Sequence, residues 1–293
     1  MSSKLPILEA YDDGLQMRPA GEWTYDKLYY LNAYIGRFIV SMRKKLWRAI
    51  QYIDLFAGPG KNQFSNGKIV SGSPLLALSQ KQSFDHYFFS DIEPSYIELL
   101  NRRCLGHLEY KKITFLTGDA NQVVDLVIKD IEETDAIYKI GAWPSLNLAF
   151  LDPDGLELEW KTVETLARVN KMDLIIFYSQ GGLTRNFDNC IDSKSDTVID
   201  KFFGGREWRK IYKASSMGET QGLHRKLIDH YKGKLTTLGY VDVRDVEDGT
   251  EPLMKNSKEV PLYRLIFASK HARGHDFWNK VIKKDVYGQS KLF

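Results

Sequence analysis

Apolar residues recur at Leu28, Leu31, Tyr34, Ile35, Phe38, Ile39 and Met42, and this spacing of three and four predicts an amphipathic helix within 23–48. The period then changes. QYIDLFAG (51–58) is a short apolar and aromatic run closed by glycine, which predicts a buried strand. Beyond an irregular KNQFSNGKIVSG, Ser73 and Pro74 read as the cap and first position of a helix over SPLLALSQ. The alternation repeats with HYFFSDIE as a strand, PSYIELLNRRCL as a helix, KITFLTGDA as a strand and NQVVDLVIKDIEET as a helix. LNLAFLDPDG is a strand and turn, WKTVETLARV a helix, and DLIIFYSQGG a fifth strand.

Short apolar strands alternating with helices predict a parallel sheet covered on both faces, and right-handed crossovers make it doubly wound. The last part of the chain departs from this pattern. After the helix HRKLIDHYKGKLTTLG, the segments YVDVRDVE and LYRLIFASK are joined by a polar turn with Gly249, Asn256 and Ser257 and no helix, which predicts an antiparallel hairpin. A dinucleotide-binding sheet normally has six parallel strands. Five parallel strands plus a closing hairpin suit the methyltransferase variant of the Rossmann-like α/β fold, with expected order 3-2-1-4-5-7-6. The expected organisation is a helical segment over 1–50 packed on the core, an α/β domain over 51–180 and 223–293, and an inserted lid or substrate platform over 181–222.

The 293 residues allow one large α/β domain or two small ones, and no apolar run approaches the roughly 20 residues of a membrane span. The N-terminus lacks the charged start, apolar block and cleavage site of a secretory signal, and Cys104 and Cys190 are too few for a disulfide scaffold. A cytoplasmic location is the expectation. Net charge is only +3, but residues 201–234 carry nine Lys or Arg against three acids, interleaved with Phe202, Phe203, Trp208, Tyr212 and Tyr231. Arg37 to Arg48 adds five cations and no acid. Such stretches suit a polyanion, with Arg206, Arg209 and Lys210 as candidate contacts; the alternative is a solvated helix face.

In open α/β sheets, ligands bind beyond the carboxyl ends of the strands where the strand order reverses. Strand one ends in Asp54-Leu-Phe56-Ala-Gly58-Pro-Gly60. Pro59 between the glycines, and no third glycine before Gly67, argue against a pyrophosphate cradle and hence against a nicotinamide enzyme. Asp54 can accept from an ammonium, while Gly58 and Gly60 let backbone approach a ligand. Asp91 after strand two is placed to take ribose hydroxyls, and Asp119, next to Ala120 after strand three, an adenine amino group. One such Asp alone reads as a cap or turn residue. Three at adjacent strand ends match S-adenosylmethionine feature by feature. Strand four ends in Asp152-Pro153-Asp154-Gly155, either a type I turn or a fixed acceptor for a target amino group. The scattered histidines offer no third ligand for a metal.

Taken together, YIDLFAGPG, SPLLAL, FFSDIEPSYIELL, GDAN, FLDPDGLELEWKTVETLA, DLIIFYSQGG and LYRLIFASKHARGHDFWNKV resemble the three-Cys-motif partner (TcmP) family over about 23–281. The resemblance implies a class I methyltransferase fold, S-adenosylmethionine as cofactor, and a separate partner protein with three cysteines that is like radical S-adenosylmethionine enzymes. The strand-one loop also looks like that of enzymes methylating an exocyclic adenine nitrogen in RNA or DNA. Those carry a second proline and an aromatic where this chain has Asp154 and Gly155, so a stacking ring would come from Trp160, Phe177 or Tyr178. The expected function is therefore methyl transfer to an amino group of a nucleic-acid base. The alternative is an inactive scaffold that docks the three-cysteine protein or RNA.

Overall fold

A computed structural model describes residues 8–137, 141–215, 220–242 and 251–284. In chain order its elements are β1 (Arg18–Ala20), α1 (Trp23–Met42), β2 (Ile50–Asp54), β3 (Lys61–Phe64), β4 (Ile69–Ser71), α2 (Ser73–Leu78), β5 (His86–Asp91), α3 (Pro94–Cys104), β6 (Ile113–Thr117) and α4 (Ala120–Ala136). They continue with β7 (Leu146–Leu151), α5 (Trp160–Ala167), β8 (Met172–Tyr178), α6 (Gln180–Cys190), α7 (Val198–Phe203), α8 (Glu207–Ala214), α9 (Thr220–Thr237), β9 (Leu253–Lys255), β10 (Pro261–Ala268) and α10 (Ala272–Ile282).

Seven strands form one sheet in the order β6-β5-β2-β7-β8-β10-β9. The first five are parallel, and β10 runs antiparallel to both β8 and β9. Counting only these strands along the chain, the order is 3-2-1-4-5-7-6, that of a Rossmann-like methyltransferase sheet. Side chains alternate between two cores. Along β7, Leu148 and Phe150 join Leu31, Tyr34 and Phe38 of α1, Leu100 of α3 and Trp278 of α10. Ala149 and Leu151 face the opposite way, into a core with Val124 and Val127 of α4, Leu166 of α5, Phe187 of α6, Phe202 of α7 and Leu227 of α9. Every residue of β7 and β8 is buried, as a doubly covered parallel sheet requires.

Several boundaries differ from those read in the sequence. The first helix stops at Met42, where the apolar period ends and the Met42 carbonyl accepts from the Trp47 indole at 3.0 Å. Gly72, not Ser73, is the N-cap of α2, and Ser73 is that helix's first residue. β10 pairs in an antiparallel hairpin with Leu253–Lys255; of YVDVRDVE, 243–247 lie outside the described residues, as does Gly249 of the expected turn. Residues 181–215, expected as part of a lid, form most of α6 and all of α7 and α8, and their Leu183, Phe187, Phe202, Phe203 and Trp208 are built into the core. A small second sheet, β1-β3-β4, was not legible in advance; it fastens residues 18–20 alongside the chain that follows the glycine loop.

Candidate active site

β2 and β7 are neighbouring parallel strands, with Asp54 opposite Phe150. From β2 the strand order runs one way to β5 and β6 and the other way to β7 and β8, so the crevice at their carboxyl ends lies at the topological switch point. Asp54 closes β2, and Asp152 follows directly on β7. A cleft of about 130 Å³ opens at Asp152, lined by Phe56 and Gly58 to Gly60 on one side, Asp152 to Asp154 on another, and Arg18, Trp23, Lys27, Phe177 and Tyr263 over the rest; Asp54 is not among its lining residues.

The loop after β2 is pinned through its backbone. Ala57 N donates to the Ser90 carbonyl at 2.8 Å, Gly58 N to Asp91 Oδ2 at 2.8 Å, and Arg103 Nη1 to the Pro59 carbonyl at 2.6 Å. Gly60 holds φ at +92°, and a Cβ there would stand 2.8 Å from Leu100 Cδ1. Positive φ at Gly58 and Gly60, with no Cβ on either, is a geometry that lets backbone approach a ligand. Below the loop, Asp13 accepts from Arg103 Nε at 2.8 Å and pairs with Lys61 at 2.9 Å. That cluster straps residues 11–16 against the loop, and the Arg103 guanidinium chiefly holds the Asp13 carboxyl far below the usual range.

Burial dominates the electrostatics of the cleft. Asp54 is 0% exposed, and its carboxyl is pushed up to about 7, first by burial and then by the negative charges of Asp152 and Asp91. The Phe56 amide donates to Oδ1 at 3.2 Å, and the Ser73 hydroxyl stands nearby; Oδ2 completes no hydrogen bond among the described residues. Asp152 is held above the ordinary carboxylate range by burial, against which the Lys27 ammonium acts. Lys27 Nζ lies 2.7 Å from Asp152 Oδ2 and 5.1 Å from the centre of the Phe177 ring. Asp152 Oδ1 and Ser90 Oγ are buried without a hydrogen-bond partner among the described residues. Arg18 forms an ion pair with Asp154.

Asp91 has one oxygen on Gly58 N and the other on Glu93 N at 3.0 Å. Each oxygen retains a further lone pair. The adjacent Ile92 is 71% exposed, an apolar side chain left at the rim of this edge. Asp119 is the N-cap of α4, its Oδ1 accepting from Asn121 N at 2.9 Å, and Asn121 in turn ties α4 to the start of α5 through the Glu157 carbonyl and Glu159 amide. Ala120 begins α4 and is buried in the core.

The residues expected to contact substrate divide sharply. Pro153, Asp154 and Phe177 line the cleft. Trp160 is 3% exposed, its indole donating to Glu164 Oε1 at 2.6 Å and its ring edge-on to Tyr231. Tyr178 is fully buried and shares a 3.1 Å hydrogen bond with His224 Nδ1. Both are core residues, since an aromatic next to a covered strand buries more apolar area inward than at the rim. Arg206 and Arg209 lie outside the cleft. Arg206 pairs with Asp196 at 2.7 Å, and Arg209 grips the buried Asp200 through Nε at 3.1 Å and Nη2 at 2.6 Å. Lys210, on the same helix, is exposed. The positive charge of this stretch is therefore largely spent within the fold.

Lys27, Arg18 and Tyr263 complete the cleft and were missed in the sequence. Lys27 carried a signal: it precedes Leu31, Tyr34 and Phe38 by four, seven and eleven residues, placing a cation on the buried face of α1. Among the described residues no group of three His, Cys, Asp or Glu could hold a metal ion, and no helix is long and apolar enough to cross a membrane. Cys104 is buried, which pushes its thiol up to about 12.

No protein-family model matches the chain, and no curated protein matches it. Among solved structures, LPL1258 from Legionella pneumophila is similar over 91% of this chain and 94% of its own, at 9% identity and a TM-score of 0.46. The O-methyltransferase TomG from Streptomyces achromogenes, solved in complex with S-adenosylmethionine, is similar over 84% of this chain and 80% of its own, at 9% identity and a TM-score of 0.42. Likenesses this distant do not bear on ligand or substrate.

Proposed function

We propose that the chain is an S-adenosylmethionine-dependent methyltransferase acting on an amino nitrogen. The observation that carries this reading is the meeting of three features at the switch point: the buried Asp54, the left-handed Gly58 to Gly60 turn, and Asp152 across the cleft. The acceptors fit the cofactor. Asp54 Oδ2 would take its ammonium, Asp91 its ribose hydroxyls beside the exposed Ile92, and Asp119 its adenine amine. When bound, the cofactor supplies an electrophilic methyl on a sulfonium. Asp152 then orients the acceptor, its free Oδ1 receiving an N–H so that the nitrogen lone pair points along one line, which is catalysis by positioning. Burial of the cleft wall by Phe56 and Phe177 excludes water from the reacting atoms.

A nucleic-acid base amine is the proposed acceptor on the strength of the resemblance to adenine-nitrogen methyltransferases, with Phe177 as the one of the three named rings that lines the cleft. Titration calorimetry with S-adenosylmethionine tests the cofactor, and the absence of heat at millimolar concentration would sink it. Transfer of labelled methyl to total RNA or DNA, lost in Asp152→Ala, tests the chemistry; equal label with both proteins removes Asp152 from the mechanism.

One observation favours a second reading. Both carboxylates of the strand-four turn are already paired, Asp152 with Lys27 and Asp154 with Arg18, which suits a methyltransferase-like scaffold that docks a three-cysteine partner protein or RNA. Membership of the three-Cys-motif partner family and a cytoplasmic location belong to the same proposal. Co-purification with a three-cysteine protein, without methyl transfer, would select it.

A further inference from the structure

The amine that the fold brings to Asp152 is its own. Lys27 Nζ is 2.7 Å from Asp152 Oδ2, in the same cleft as the Gly58 to Gly60 turn, and the two side chains are only 13% and 9% exposed. The ammonium lies over Phe177, and Tyr263 packs on that ring with centroids 4.2 Å apart, followed by Trp23 at 6.5 Å from Tyr263. A carboxylate facing a row of aromatic rings is the chemistry that selects an alkylammonium, because ring faces attract the cation and its methyl groups while the carboxylate takes its N–H. A salt bridge serving stability alone gains little from such burial, since desolvation of both ions opposes their attraction.

We propose that Lys27 Nζ is a methyl acceptor of this protein, so that the cleft methylates its own α1 helix. This rests on the S-adenosylmethionine reading above. In the step, the Lys27 ammonium passes a proton to Asp152 Oδ2. The freed Nζ lone pair forms the N–C bond to the cofactor methyl as the C–S bond breaks, its electron pair staying on sulfur. Adenosylhomocysteine leaves neutral, and the positive charge lost by sulfur is carried by the methylated nitrogen. Asp152 suits the proton transfer because burial already makes its carboxyl a better base than an exposed one.

The full chain, first shown by calorimetry to bind S-adenosylmethionine, is incubated with that cofactor and digested for peptide mass spectrometry. The peptide containing Lys27 is expected to gain a methyl increment, absent in Lys27→Arg, which keeps a cation on Asp152, and absent in Asp152→Asn. A second readout needs no turnover: acetylation of Lys27 by acetic anhydride is expected to slow when S-adenosylhomocysteine is bound and to quicken in Asp152→Asn. Cofactor binding with an unmethylated Lys27, methylation confined to other lysines, or acetylation indifferent to S-adenosylhomocysteine each overturns the proposal while leaving the cofactor reading in place. Failure to bind the cofactor overturns both.

Discussion

The Gly58 amide donates to Asp91 Oδ2 at 2.8 Å, so the loop after β2 is held by the carboxylate that ends β5. Asp91→Ala removes a buried acceptor from two backbone amides, those of Gly58 and Glu93. The expected loss is about 1–3 kcal/mol in urea denaturation, from amides left without a partner. Because the same carboxylate is assigned to the ribose, S-adenosylmethionine affinity falls along with stability. Asp91→Asn, which keeps an acceptor oxygen, recovers part of the stability and little of the affinity.

Asp54 makes stability depend on pH in a direction opposite to most carboxylates. Its carboxyl is raised from 3.8 to about 7 in the folded chain, so folding favours the protonated form. The associated stability is fully present below pH 3.8 and is lost as pH rises towards 7. Asp54→Asn, neutral throughout, should gain on the wild type across that window, by at most about 4 kcal/mol at pH 8. Urea midpoints of both proteins between pH 4 and 8 measure this; parallel curves would show that Asp54 is not buried as described. Cofactor affinity should change the other way, strengthening as pH rises through 7 and Asp54 ionises.

Gly60→Ala tests the loop itself. At φ +92° an L side chain is strained, and the added Cβ would meet Leu100, which is fully buried and has little room to yield. A destabilisation of about 2 kcal/mol is expected, with weaker cofactor binding, because the turn must open to relieve the contact. Gly67→Ala serves as the control, since its φ is also positive but no atom lies within 4 Å of the added Cβ.

Arg209→Ala separates a structural role from a substrate role. Asp200 is 4% exposed and accepts from Arg209, the Trp208 indole at 2.8 Å and the Thr197 amide at 2.8 Å. Removing the guanidinium leaves a buried carboxylate uncompensated, at a cost of about 3 kcal/mol. RNA affinity measured where the variant is still folded should be unchanged. A selective loss of RNA binding with normal stability would return Arg209 to the interface.

Along the chain, the change of apolar period from three and four to short continuous runs placed five parallel strands and most of their helices, because side-chain burial on a covered sheet is a local pattern. Asp54, Gly58, Gly60, Asp91 and Asp152 could be placed at the sheet edge for the same reason: each ends or follows a strand, and strand ends are local. In the charge-rich stretch at 201–234, composition counts cations without showing which carboxylates they meet. Arg209 of α8 finds the buried Asp200 of α7, and Arg206 finds Asp196 on the adjoining surface loops.

The sequence by itself determined the five parallel strands and most of the helices between them, the glycine turn, and the carboxylates at the sheet edge, all consequences of short-range periodicity and turn chemistry. Only the tertiary structure decided that Lys27 meets Asp152 and Arg18 meets Asp154, and that Trp160 and Tyr178 turn into the core. Those outcomes depend on how α1 and β1 lie across strands more than a hundred residues away, where burial and charge are balanced between elements rather than along one.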